Sequence, residues 1–468
     1  MNRKLASGVL LLAVCFGIGW LVPPPAGVGL AGWRLFGVFA ATMLGLVLQP
    51  IAGGALVLMA VTMAVLVGGL PLEQALAGYA DPSVWLVMGA FMISRALIKT
   101  GLARRIALIF VRAFGKSSLG VSYALTFSDM VLASAIPSNG ARSGGVILPI
   151  LRSIAELYGS QPGATAPLLG CFLITAVYQG ICITSAMFYT GQASNPLAAS
   201  MATNTFHFPI TWASWLVAGS VPGICSLLAV PYVVYRLNPP AIKRTPEAAA
   251  YAAGELRIMG RLSRSEWITL GVFVTVCLLW ITAKWNHLDI TVTALLGSTT
   301  LLAIGVIDWE DVKNEKAAWD IFIWYGGVLR MGLALGEVGV TGAFAKSVAS
   351  NFGTAGWITL FVAALAIYFY THYGFASITA HLLAMYTPFV AVLVAKGAPL
   401  GLMVFTFAIF ANLAAGLTHY GTTPSPMYYA ADYVPFRTFW GTGLVISFVN
   451  LAIFSTVGFA WWKLLGIW

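Results

Sequence analysis

The feature of this chain that leaves the fewest folds open is a recurrence of apolar stretches long enough to cross a lipid bilayer, which takes about 20 residues as a helix. Such windows lie near residues 5–23, 29–48, 52–70, 83–100, 166–188, 210–235, 267–285, 288–307, 319–337, 399–419 and 438–462. Two more, 118–158 and 355–396, are interrupted near their middles. Of the 468 residues 59% are hydrophobic and only 9% charged, whereas charged residues make up about 25% of soluble domains. We therefore expect an all-α polytopic membrane protein, with about eleven transmembrane helices plus two re-entrant helical hairpins.

The first window follows Arg3 and Lys4, as a cleaved secretory signal would. Its cleavage signal is poor and no soluble domain follows, so residues 1–28 read as a retained N-terminal helix. A formal charge of +10 invites a nucleic-acid partner, but the basic residues sit in short loops and form no stripe or tail. Topology explains them. Arg3 and Lys4, the run Lys99 to Lys116, and the run Arg236 to Arg264 fall on one side if hairpins do not cross, which predicts a cytoplasmic amino terminus. The expected setting is a bacterial inner membrane, with lipid as the surroundings. Cys15, Cys171, Cys182, Cys225 and Cys277 all lie in apolar windows and have neither disulfide nor metal-ligand spacing.

The chain also repeats. "GAFMISRALIKTGL" from Gly89 aligns with "GVLRMGLALGEVGV" from Gly327, and "SNGARSGGVILPI" from Ser138 aligns with "SITAHLLAMYTPF" from Ser377. "GQASNPLA" from Gly191 likewise aligns with "GTTPSPMY" from Gly421. The expected division is a first repeat over 29–236 with its hairpin at 118–158, a cytoplasmic linker over 237–266, and a second repeat over 267–468 with its hairpin at 355–396. Each half holds about five spans, an odd number, so the second copy enters the membrane inverted. Inverted repeats with helices broken at matching places are a sequence signature of secondary transporters, whose substrates bind where the breaks meet.

A non-helical tip at membrane depth must be buried in protein or line a wet cavity. The tips offer Ser138, Asn139, Ser377 and Thr379, and each is followed by a helix start whose free N–H groups favour a small anion. Ser194, Asn195, Thr422 and Thr423 occupy the other pair of breaks; any one of these side chains can equally be a helix cap. Arg142 has two readings, a functional charge or an ion pair with Asp129 on the preceding arm. Its repeat mate is His381, which would contact substrate or tune the site's charge. His372 and His419 fall in the same part of the chain, but no ligand spacing or carboxylate cluster accompanies them, so no metal site is expected. Arg95, Lys99, Arg330 and Glu337 read as helix-end or interhelical contacts.

Through "PSNGARSGGVILPI", "FASITAH", "TSAMFYTGQASNPLAA" and "LTHYGTTPSPMYYAADYV" the chain resembles the divalent anion:sodium symporter family. The resemblance is strongest to the branch of bacterial citrate/succinate and tartrate/succinate antiporters and plastid 2-oxoglutarate/malate translocators. It covers nearly the whole chain and implies a homodimer, an elevator-type transport domain, and substrates of the succinate, malate, tartrate, citrate or 2-oxoglutarate class. The family's Ser-Asn-Thr tips fall on Ser138-Asn139-Gly140 and Ser377-Ile378-Thr379, so that Gly140 and Ile378 depart from the pattern. The first departure touches a carboxylate contact and the second a sodium ligand.

A carrier whose cations are Arg142 and His381 cannot release them, so returning empty would move uncompensated charge through a low-dielectric barrier. The expectation is therefore sodium-independent exchange of di- or tricarboxylates without a cofactor. Sodium-coupled symport is the alternative, with Ser138, Asn139, Ser194 and Thr379 as possible ion ligands. An intramembrane enzyme lacks a convincing nucleophile and base.

Overall fold

The computed structural model describes residues 3–351 and 356–468; the first residue of the second hairpin as expected, 355, lies outside them. Every one of the eleven apolar windows holds a helix. Among the described residues nine helices are long and apolar enough to cross a membrane, two of them the arms of the second hairpin, Trp357–Gly374 and Ile378–Ala395. Gly53–Leu66 and Ile290–Ala303 are shorter apolar helices. Lys316–Glu337 fills the window at 319–337.

The aligned glycines of the two repeats are points of close helix approach. A Cβ on Gly89 would lie 3.0 Å from the backbone carbon of Ala294, and one on Gly327 would lie 2.6 Å from Cγ1 of Val57. Pro82–Lys99 thus packs tightly on Ile290–Ala303, and Lys316–Glu337 on Gly53–Leu66. Small residues matter here because lipid tails supply no hydrophobic drive between helices, so association rests on close van der Waals contact. These four helices form a frame. A second bundle is built on Gly170–Met187 and Leu400–Leu417, each 94% buried, which pack on each other.

Both hairpins break in the same manner. In the first, Ser118–Ala133 ends, an extended stretch carries Pro137, and a helix restarts at Asn139 with Ser138 as its cap. The Ser138 hydroxyl accepts from the Ala141 amide at 3.1 Å, and in the second hairpin the Ser377 hydroxyl accepts from the Ala380 amide at 3.4 Å. A π-helical turn, Ser143–Ile147, follows the first tip.

Amphipathic or polar helices also lie between the windows. Leu102–Phe114 buries Leu102, Ala103, Arg105, Ala107, Leu108 and Val111 along one face, and the linker contains Pro246–Met259. Arg105 ties them together, reaching Glu266 at 2.6 Å and the Gly260 carbonyl at 2.9 Å. Val340–Asn351 is the counterpart of Leu102–Phe114 in the second repeat. Arg95 and Lys99 both pair with Asp311, and Arg330 pairs with Glu337 at 2.7 Å, so these residues are the interhelical and helix-end contacts expected of them.

Candidate functional site

All four breaks meet at one cavity of 740 Å³. The first tip contributes Pro137, Ser138 and Asn139, and the second Ser377 to Ala380. The other two breaks supply Gln192 and Ala193, and Thr422 and Thr423. Facing them across the cavity is the frame, with Gln49, Ala52 and Gly53 at the junction of two helices and Asp320 and Trp324 on a third. The restarting helices Asn139–Arg142 and Ile378–Ala395 begin at this wall, and the first amides of a helix have no intrahelical acceptor. Together with the serine and threonine hydroxyls they make a surface suited to an anion.

Of the residues singled out from the sequence, Ser138, Asn139, Ser377, Thr379, Thr422 and Thr423 line this cavity. The Asn139 amide also donates to the Thr422 hydroxyl at 2.9 Å, joining a tip of one repeat to a break of the other. Gly140 lies where a Cβ would come within 2.7 Å of the Thr423 methyl, so its lack of a side chain lets that break close on the tip. Ser194 and Asn195 sit behind the wall. Asn195 donates to the carbonyls of Ser185 and Phe188 at 2.7 and 2.8 Å and accepts from Asn412 at 2.8 Å, which makes it a brace between repeats. The Ser194 hydroxyl is buried without a hydrogen-bond partner among the described residues.

Arg142 is not among the residues that line the cavity, and its geometry is that of the second reading, the ion pair with Asp129. The side chain is fully buried, with Nε donating to Asp129 at 3.1 Å. Nη1 donates to the carbonyls of Ile136 and Gly191, each at 2.6 Å, and Nη2 to the Ser185 hydroxyl at 3.2 Å. Four residues past Ser138 is one helical turn beyond the tip, on the side turned into the bundle. Asp129, which also accepts from Thr184, neutralises the guanidinium there.

His381 is likewise fully buried and does not line the cavity. Its ring lies 4.3 Å from that of Tyr368 and 4.9 Å from that of His372, and neither nitrogen meets hydrogen-bond geometry with a partner among the described residues. His372 bonds through Nε2 to the Gly421 carbonyl at 2.9 Å. Gly421 is the repeat mate of Gly191, so each half holds the equivalent carbonyl with a nitrogen side chain. His419 is apart from this pair, accepting from the Trp440 indole at 3.0 Å.

Residues 2–468 match the family described as the sodium:sulfate symporter transmembrane region. The chain belongs to this symporter family. It is 42% identical over 461 residues to YflS of Bacillus subtilis (strain 168), covering 98% of this chain and 96% of the relative. It is 40% identical over 468 residues to the chloroplastic dicarboxylate transporter 1 of Arabidopsis thaliana, covering 99% and 83%. Among solved structures the YdaH transporter of Alcanivorax borkumensis shares the fold, with a TM-score of 0.54 over 100% of this chain and 98% of that one, at 11% identity. The resemblance drawn from the hairpin motifs and the family match agree.

In this symporter-family protein the frame side of the cavity was not anticipated from sequence. Asp320 stands near the start of an apolar window and carried a usable signal, since an ionisable residue at membrane depth is a functional candidate by default. Gln49, Gln192 and Tyr420 carried none, as polar residues at helix ends are ordinary.

Proposed function

We propose that this protein is a secondary carrier that exchanges small dicarboxylates across the membrane without needing sodium. The observation that carries the reading is the position of Arg142, whose Nη1 bridges the carbonyls of Ile136 at the first tip and Gly191 at the neighbouring break. Carbonyls gathered at a broken helix are what a transported cation would use, and a side chain that cannot leave already occupies them. The name of the Arabidopsis relative supports the substrate class. So does the anion-suited wall formed by Ser138, Asn139, Ser377, Thr379, Thr422 and Thr423.

The physical reason for exchange differs from the one first expected. Because Arg142 is paired with Asp129, an empty carrier does not bring an uncompensated cation into the barrier. It does bring helix-start amides and hydroxyls with no acceptor, and each buried polar group left unsatisfied costs about 1–3 kcal/mol. A bound dianion satisfies several at once. An elevator-like movement of the second bundle in a homodimer belongs to the same reading.

Sodium-coupled symport is a second reading. It is favoured by the wall itself, because among the described residues lining the cavity no side chain is cationic. Purified protein in liposomes separates the two. We expect labelled malate to enter only vesicles preloaded with dicarboxylate, at a rate unchanged when sodium is replaced by potassium. Sodium-dependent entry into empty vesicles would overturn exchange in favour of symport.

A further inference from the structure

We propose that Asp320 is a charge filter that sets this carrier's preference for dicarboxylates over tricarboxylates. The inference rests on the carboxylate reading above and names what that reading leaves open, the number of charges accepted.

Asp320 is the one charged side chain among the described residues that line the cavity. It stands on the frame, in Lys316–Glu337, opposite the tips. One of its oxygens accepts from the Gly54 amide at 3.2 Å, which fixes the carboxylate at the start of Gly53–Leu66. Its neighbours on the same wall are uncharged: Gln49, Ala52, Gly53 and Trp324. A cavity of 740 Å³ is in the range that holds drug-sized ligands, so volume alone does not refuse a six-carbon acid.

Charge can refuse it. Two carboxylates of a substrate can sit against the hydroxyls and helix starts of the two tips. A third would have to project toward the frame, where it meets a carboxylate and finds no lining cation to offset it. A hydroxyl in that place meets no such penalty and can donate to Asp320. The wall therefore discriminates by repulsion of the wrong substrate, in addition to attraction of the right one.

The experiment uses full-length protein in liposomes, with labelled malate exchange inhibited by unlabelled malate and by citrate. Asp320→Asn keeps an oxygen for the Gly54 amide and removes only the charge, and Asp320→Glu keeps the charge. We expect the ratio of the citrate to the malate inhibition constant to fall roughly tenfold in Asp320→Asn, the scale of one like-charge contact in a wet cavity. In Asp320→Glu the ratio should stay near that of the unsubstituted protein. An unchanged ratio in Asp320→Asn overturns the filter while leaving dicarboxylate exchange intact. If Asp320→Asn does not exchange, thermal shift of the purified variant decides: stabilisation by citrate that the unsubstituted protein lacks supports the filter, and its absence overturns it. Failure of the unsubstituted protein to exchange any carboxylate is a different result, which removes the substrate reading and the filter with it.

Discussion

Arg142 shows what residue spacing can and cannot convey. Its place four residues after Ser138 was legible, and so was Asp129 as a candidate partner, because an arginine in an apolar stretch demands one. Which way the side chain turns was not legible, since it depends on how the hairpin packs on Gly170–Met187, whose Ser185 and Thr184 complete the buried cluster. His381 follows the same logic: the spacing located it one turn past its tip, but aromatic packing with Tyr368 and Phe375 decided its surroundings. A prediction follows for Arg142→Ala. It strands the Asp129 carboxylate in a fully buried site, and breaking one side of a buried pair destabilises by about 3–5 kcal/mol. The variant should melt well below the unsubstituted protein in detergent, and removing the carboxylate as well, in Arg142→Leu with Asp129→Leu, should recover most of that stability but not exchange. Recovery of exchange by the double variant would show that the pair has no part in transport.

At the scale of elements, the hairpin breaks were legible because lipid tolerates few non-helical sequences and Ser caps are recognisable. The helices Leu102–Phe114 and Pro246–Met259 were not, since a search for all-apolar windows passes over segments with only one buried face. The frame helices are pinned in a similar way by a short polar helix, Trp309–Asn314, through Asp311. Burial works against the charge on Asp311, but hydrogen bonds from Lys99, the Asp308 amide and Arg95 outweigh it and hold the carboxyl below its usual range. A depressed folded-state value means stabilisation that is present above the unfolded aspartate value of about 3.9 and is lost as pH falls through the folded one. Asp311→Asn should therefore lower the melting temperature at pH 7. The gap to the unsubstituted protein should close as the pH drops below 4; a gap independent of pH would mean that the ion pairs contribute nothing.

For the whole molecule, the repeat was readable because the same glycines and serines recur at close approaches and caps in both halves. The cross-links between halves were not readable from either half alone: Asn139 to Thr422, and Asn195 to Asn412. They join the two halves around one cavity, so that both tips form a single surface. One consequence concerns the transmembrane voltage. An elementary charge crossing the bilayer exchanges about 2.3 kcal/mol with every 100 mV of potential, and a lone arginine on a moving hairpin would turn the carrier into a voltage sensor. Arg142 and Asp129 sit in the same hairpin and their charges cancel, so on the exchange reading the charge that crosses the field is the dianion's own. Exchange of malate for malate should then respond to a potassium diffusion potential, because each half-step carries that charge through the field, and a rate that ignores the potential would mean that compensating protein charge moves with the substrate. On the exchange reading, energising a cell's membrane would therefore alter how fast the carrier trades one dianion for another, even though a one-for-one trade moves no net charge.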